Sequence, residues 1–263
     1  MILSLPSSNH DRHLRWDLIS YKALSSLTSE TNRSRLGVIW WILDPLLYMS
    51  VFYIVFGVIF ERGGPGFVAK LLIALVIWRW FDNCVKTASG SLINSAGLMR
   101  QVYVAKALFP LSAIIAQSIK FVCVLAILLV FLLLYGIEPT ISWLGLVPVL
   151  LAELCFLLGL GLLLGAIIPF FPDLKTFIDY GIQLGFFMSG VFYEISRVPE
   201  GVREYFYWNP MAVLIDQSRQ VLLYHNAPDW QLLGWIALVG IILAALGLFL
   251  LRHFDRDYPN LLL

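Results

Sequence analysis

Charge is scarce in this 263-residue chain: Lys, Arg, Asp and Glu together make up 13% of it. Soluble domains carry about 25%. With 60% hydrophobic residues and a mean hydropathy of +0.83, the chain lacks the polar surface that a globule in water needs. That excludes an ordinary soluble domain and makes the bilayer the expected solvent. Cysteine is nearly absent. Cys84, Cys123 and Cys155 are dispersed through apolar segments, which excludes a CxxC site and leaves disulfides not required; they read as small packing residues. The only histidines are His10, His13, His225 and His253, none inside an apolar run. An intramembrane serine protease with a histidine base is therefore excluded. No HExxH offers a metal site and no GxxxxGK[ST] loop offers a phosphate cradle. ATP hydrolysis by this chain is not expected, nor is a bound metal. No basic tract points to nucleic acid. The first fifteen residues have neither the apolar core nor the cleavage site of a signal peptide, so insertion is expected from the helices themselves.

What is present is a series of long apolar runs. A crossing takes about 20 apolar residues for a ~30 Å core. Six runs qualify, at roughly residues 36–60, 67–85, 108–135, 143–170, 176–192 and 230–251. Turn chemistry separates them: the glycine- and proline-rich residues 61–66, the loop 136–142, and Pro169 with Pro172 and Asp173. The expected fold is an all-α integral membrane domain over residues 36–263, with six transmembrane helices, preceded by a cytoplasmic N-terminus over residues 1–35.

Two further segments are amphipathic. Leu14, Leu18, Tyr21, Leu24 and Leu27 recur at helical spacing, which predicts a helix lying in the membrane interface. Between spans five and six, residues 193–228 contain Pro199 and then Asn209-Pro210, an N-cap side chain followed by proline at the first helical position. Beyond it, Met211, Leu214, Ile215 and Leu222 share one face, and Asp216, Gln217, Arg219 and Gln220 another. The segment reads as a re-entrant pair of short helices or, alternatively, as a surface loop with one amphipathic helix. An N-terminus in the cytoplasm would place Arg12, Arg15, Lys22, Arg33, Arg35, Arg100, Lys106, Lys175, Arg252 and Arg256 inside. Arg62, Lys70, Arg197, Arg203 and Arg219 would be outside. Ten against five favours both termini in the cytoplasm.

Charges at depth cost about 2.5–3.5 kcal/mol each on insertion scales. Lys120 and Glu153 fall at similar depth in antiparallel spans three and four, so a buried ion pair is expected, as polar glue between helices or as part of a transport path. Asp44 precedes Pro45, a proline placed to kink span one. Arg79, Asp82 and Lys86 should pair at i,i+3 and i,i+4. Gly161 with Gly165, and Gly181 with Gly185, have the small-residue spacing of close helix packing. Span one carries Trp41, Tyr48, Phe52, Phe56 and Phe60 close to one face, with Trp40 and Tyr53 beside it; span two adds Trp78, Trp80 and Phe81. Such a stripe suits contact with sugar rings, and equally suits interfacial belts and core packing.

Four stretches, in order, resemble one family, the membrane subunits of bacterial polysaccharide ABC exporters of the type-2 class, which handle O-antigen, capsule and teichoic acid. They are RLGVIWWILDPLL (35–47), VIWRWF (76–81), GLMRQVYVAKALFPLS (97–112) and WNPMAVLIDQSRQVL (208–222). Val104-Ala105-Lys106 departs from the Phe-Pro-Arg-like sequence of many members. The resemblance implies a non-enzymatic homodimeric permease in the inner membrane, docked on two copies of a cytoplasmic ATPase that holds the ATP and Mg. A lipid-linked polysaccharide, O-antigen or capsular, would cross at the dimer interface, past the aromatic stripe. Arg33 and Arg35 would receive the lipid phosphate or act as positive-inside anchors. Gly97, Leu98, Met99, Arg100, Gln101 and Tyr103 would transmit ATPase movement. Tyr193, Pro199, Asn209, Pro210 and Arg219 would belong to the gate at the outer mouth. The competing functions are a permease for a drug or lipid, a non-transporting scaffold, and a membrane-embedded transferase, for which no convergent acid, base and nucleophile are found.

Overall fold

The computed structural model describes residues 21–25, 27–28, 37, 39–59, 66–101, 104–195 and 198–261. Among them the chain is all helical, with no strand. After a helical N-terminal segment at 21–28, whose residue 26 lies outside the described set, come α1 (Ile39–Phe52), a π-helical continuation Tyr53–Ile59, and α2 (Phe67–Ser89). The short α3 (Ala96–Gln101) precedes α4 (Leu108–Leu134), α5 (Leu146–Ile167) and α6 (Leu174–Met188). Then come α7 (Glu200–Tyr207), α8 (Pro210–Leu222), α9 (Trp230–His253) and α10 (Tyr258–Leu261). Each of the six apolar runs contains a helix. Among the described residues three stretches are long and apolar enough to cross a membrane: Leu108–Leu134, Ile141–Ile167 and Trp230–His253.

Local chemistry fixes the boundaries. Pro110 and Pro148 sit in the first turns of α4 and α5, where a missing N–H costs nothing. α4 stops at Gly136, whose φ of +89° only glycine adopts freely. There Ile137 N donates to Leu132 O and Gly136 N to Leu133 O, the paired bonds of a Schellman ending. Asn209 caps α8 as its position before proline predicts, accepting from the N–H groups of Met211 and Ala212.

α2 is the central helix. Sixteen of its 23 residues are buried, so it meets protein on nearly every side, packing on α4, α5, α8, α6 and α1. This explains how a segment with four charges, Lys70, Arg79, Asp82 and Lys86, sits inside an apolar bundle. Both ends are polar and the eight residues from Leu71 to Trp78 form the apolar middle. α5 and α9 form the closest helix pair. A Cβ built on Gly240 would lie 2.5 Å from the carbonyl carbon and oxygen of Cys155, and one on Gly247 would lie 2.6 Å from Leu163 N. A Cβ on Gly159 would collide with Gly240 O. Gly161 and Gly165 do pack closely, against Ile114 and Ala88 and against Ala88 O and Pro110, whereas Gly181 faces open space.

The N-terminal segment docks by Ala23 and Leu27 against Ala116 of α4, while Tyr21 and Leu24 point away and are exposed. Leu14 and Leu18 lie outside the described residues. Below the bundle, Tyr258 of α10 is fully buried and donates to Ala166 O at 3.1 Å. It joins Met99, Phe109, Leu162, Ala166 and Leu251 in one cluster.

Candidate functional site: a polar aromatic groove and an arginine staple

A groove of about 330 Å³ opens between α1, α2 and α6. Its apolar floor is Trp78, Ile182 and Phe186; Tyr48 and Tyr180 flank it, and Arg79, Asp82, Lys86, Asp179 and Gln183 supply polar groups. The charges are largely matched. Asp82 pairs with Lys86 and with Arg79, as their spacing on one helix predicts. The Arg79 guanidinium lies 4.1 Å from the centre of the Tyr48 ring. Lys175 Nζ is 3.2 Å from Asp179 Oδ2. Towards the other end of α6 the floor continues as an aromatic cluster in which Phe186 meets Trp78, Phe52 and Phe192. Rings for stacking beside carboxylate, amide and guanidinium groups suit a neutral polyhydroxylated ligand, and mutual neutralisation avoids a net field that would trap charge.

Several expected contact residues are in place and others are not. Tyr48, Phe52 and Trp78 belong to the groove and its cluster, while Trp40 and Tyr53 are exposed on α1 and the π-helix. Trp80 and Phe81 depart from the expectation. Both are buried in the interior, Trp80 stacked on Phe121 at 4.0 Å and bonded through Nε1 to Ser118 Oγ, Phe81 against Phe156. They face the bundle because α2 is surrounded. Phe60, Arg33, Arg35 and Tyr103 lie outside the described residues, as do the side chains of Trp41, Phe56 and Arg100. The sequence reading overlooked Asp179, Tyr180, Gln183 and Phe186. Lys175, Asp179 and Gln183 recur every four residues in the shortest apolar run, a polar stripe that marks a helix facing something other than lipid.

The Lys120–Glu153 pair is a correction. Glu153 is 0% exposed and neither carboxylate oxygen has a hydrogen-bond partner. It faces α2, within electrostatic reach of the Cys84 thiol. Lys120 lines a different cavity with Lys22 and Gln117. The two residues are on helices of adjacent sequence, but their side chains leave on different faces.

At the opposite end of α2 from Lys86, α8 inserts into the bundle, with even Gln217, Ser218 and Arg219 buried. Arg219 is 3% exposed and donates four hydrogen bonds to backbone carbonyls. Nε reaches Lys70 O at 3.1 Å, Nη1 reaches Gly190 O at 2.8 Å and Tyr193 O at 3.0 Å, and Nη2 reaches Val191 O at 2.8 Å. The guanidinium therefore staples α8 to the start of α2 and to the loop after α6. Gly190, at φ +69°, turns that loop towards it. Asn209 adds a bond to Ser189 Oγ at 3.0 Å, Tyr193 packs edge-on to Phe206, and Pro199 opens α7. Of the five residues expected at the gate, Tyr193, Pro199 and Asn209 lie between α6 and α8, and Pro210 and Arg219 lie on α8 itself. Beside them Lys70 Nζ bonds Glu194 Oε1 at 2.7 Å and Tyr224 OH bonds Glu194 Oε2 at 3.0 Å.

Burial pushes the Glu194 carboxyl up, but the bonds from Lys70 and Tyr224 and the nearby positive charges outweigh it, holding its pKa below the ordinary 4.5. A depressed folded value means stabilisation that is complete above the unfolded value and lost as pH falls through the folded one. The melting-temperature advantage of wild type over Glu194→Gln should be constant near neutrality and shrink only below pH 4.5. An advantage that vanishes between pH 8 and 6 would contradict this origin.

Of the segment expected to couple to an ATPase, Gly97, Leu98 and Gln101 are exposed and Met99 is anchored in the cluster around Tyr258.

Buried polar staples, a central charged helix and long apolar outer helices define an all-helical, multi-pass membrane protein. The chain belongs to the ABC-2 type transporter family, which it matches over residues 26–223. It is 25% identical over 248 residues to the O-antigen export system permease protein of Klebsiella pneumoniae, covering 94% of this chain and 95% of that one. The corresponding permease of Myxococcus xanthus is 30% identical over 212 residues, 80% of this chain and 82% of that one. The polysialic acid transport protein of Escherichia coli is 22% identical over 243 residues, 87% and 90% of the two chains.

Proposed function

We propose that this chain is the membrane subunit of an ATP-driven exporter that moves lipid-linked polysaccharide, O-antigen or capsular, across the bacterial inner membrane. The groove between α1, α2 and α6 carries the reading. It combines ring faces, matched charges and amides, the surface a sliding glycan needs, and the relatives are named for O-antigen export and polysialic acid transport. In this reading α1, α2 and α6 join α4, α5 and α9 to make six crossings. Both termini are cytoplasmic, and α7 with α8 forms a re-entrant gate at the outer mouth. Phe177, Tyr180, Leu184, Phe187 and Met188 leave α6 with an exposed apolar face beside the groove. A second copy of the chain would cover that face and close the groove into a channel. Two ATPase subunits would engage Gly97, Leu98 and Gln101 and supply the ATP and Mg, while this chain does no chemistry. Arg33 and Arg35 would receive the lipid phosphate.

The test is reconstitution of the permease with its ATPase in vesicles, scoring ATP-dependent transfer of lipid-linked glycan. Tyr180 is 63% exposed, so Tyr180→Ala should leave folding and ATPase assembly unchanged. Loss of one ring contact, about 1 kcal/mol, should cut export roughly five- to tenfold. Undiminished glycan export by Tyr180→Ala would remove the groove from the path. Transport of other substrates without glycan would defeat the function itself.

A further inference from the structure

A second cavity, of about 370 Å³, lies at the far end of α2 from the Arg219 staple. The N-terminal helical segment, the end of α2 with the turn after it, and the first half of α4 enclose it. Its polar wall is Lys22, Thr87, Ser91, Asn94, Ser95, Gln117 and Lys120. The described lining thus holds two ammonium groups, three hydroxyls, two carboxamides and no carboxylate; Thr87 and Ser91 donate to the Asn83 and Ala88 carbonyls, so the ammonium and amide groups are the donors matched to an anion. Lys22 turns inward: its Nζ donates to Ser95 Oγ at 3.3 Å and sits 4.5 Å from the centre of the Phe109 ring. Burial holds this ammonium below its ordinary pKa, a penalty that a bound anion relieves.

The position also fits. Ala23 and Leu27 dock on Ala116, one turn from Lys120, while Tyr21 and Leu24 are exposed on the opposite side of the segment. A helix that turns apolar side chains outward beside a membrane bundle lies at the boundary of headgroups and acyl chains. We infer that this cavity binds a phosphate group beside the N-terminal segment, its oxygens accepting from Lys22, Lys120 and the neighbouring amides of Asn94 and Gln117. Bound there, the anion ties the N-terminal segment to α2 and α4. The inference is independent of what the protein exports. A phospholipid headgroup and free phosphate share this chemistry.

The full-length chain in detergent separates the two sources. Phosphatidylglycerol and phosphatidylcholine are titrated in parallel and retained lipid is counted by native mass spectrometry, while a second arm adds inorganic phosphate and follows the melting temperature. For a lipid site, phosphatidylglycerol should be preferred about tenfold, and Lys22→Gln with Lys120→Gln should abolish the preference. Lys22→Arg, and Arg252→Gln as a control at an exposed cation outside the cavity lining, should preserve it. For a soluble-phosphate site, the two lipids bind alike and inorganic phosphate raises the melting temperature of wild type but not of the double variant. Lys22→Gln alone, with its unliganded melting temperature checked first, stands in if the double variant does not fold. Equal retention of both lipids with no response to phosphate, or binding unchanged in a folded lysine variant, overturns the inference.

Discussion

Arg219→Ala should lower the stability of the purified protein by on the order of 4 kcal/mol, because one side chain supplies four buried hydrogen bonds. Each charged bond contributes about 1.5–3 kcal/mol, and leaving buried carbonyls without a donor adds to the loss. The four are not additive, since they share one cation and one loop. For a chain of this size the melting temperature should drop by about 10 °C. The damage should be local before it is global. Hydrogen exchange should rise first at Gly190–Glu194 and at the start of α2, which α8 then no longer holds. Arg219→Lys should recover less than half, because an ammonium cannot reproduce a planar fork that addresses the loop and α2 together. A melting temperature within 2 °C or so of wild type in the alanine variant would show that the guanidinium is dispensable.

The second large effect is expected from a single methyl group. In Gly240→Ala the new Cβ meets Cys155 and Phe156 backbone atoms at 2.5–2.6 Å. Backbone cannot swing aside as a side-chain tip can, so α9 must move off α5 by about an ångström. That forfeits close contact along the whole pair, where Gly159 and Gly247 are seated just as tightly. A loss of about 3 kcal/mol is expected, read as aggregation in mild detergent or a broadened size-exclusion profile. Gly234→Ala, on the same helix with nothing within 4 Å, should be silent. Equal behaviour of the two variants would mean that the helices are not in backbone contact.

Much of this architecture was legible in one dimension. Hydropathy and turn residues located a helix in every run, and Asn209-Pro210 announced its cap because N-capping is local chemistry. Rotational phase was harder to read. Lys120 is one residue, about 100° of helix, away from Phe121, which faces the interior. Depth alone therefore brought Lys120 to Glu153 when side-chain direction did not. Trp80 and Phe81 misled for a related reason. An aromatic on a helix enclosed by five others looks the same in sequence as one lining a channel. The glycines that matter most, Gly159, Gly240 and Gly247, were hidden among 19 in the chain, because close approach depends on the partner helix. Asp179 and Gln183 could have been found: polarity at four-residue intervals in a short apolar run is a signal in its own right.

The cluster around Tyr258 sets where this molecule is stiff and where it can give. Phe109 roots α4, Leu162 and Ala166 root α5, and Leu251 roots α9, all wedged together with Met99. A thrust received at Met99 would reach three long helices at once and drive them as a piston block. α1 and α6 meet α2 chiefly through ring edges and the polar-lined groove, joints that slide at little cost. Motion entering at the base should therefore surface as a widening of that groove.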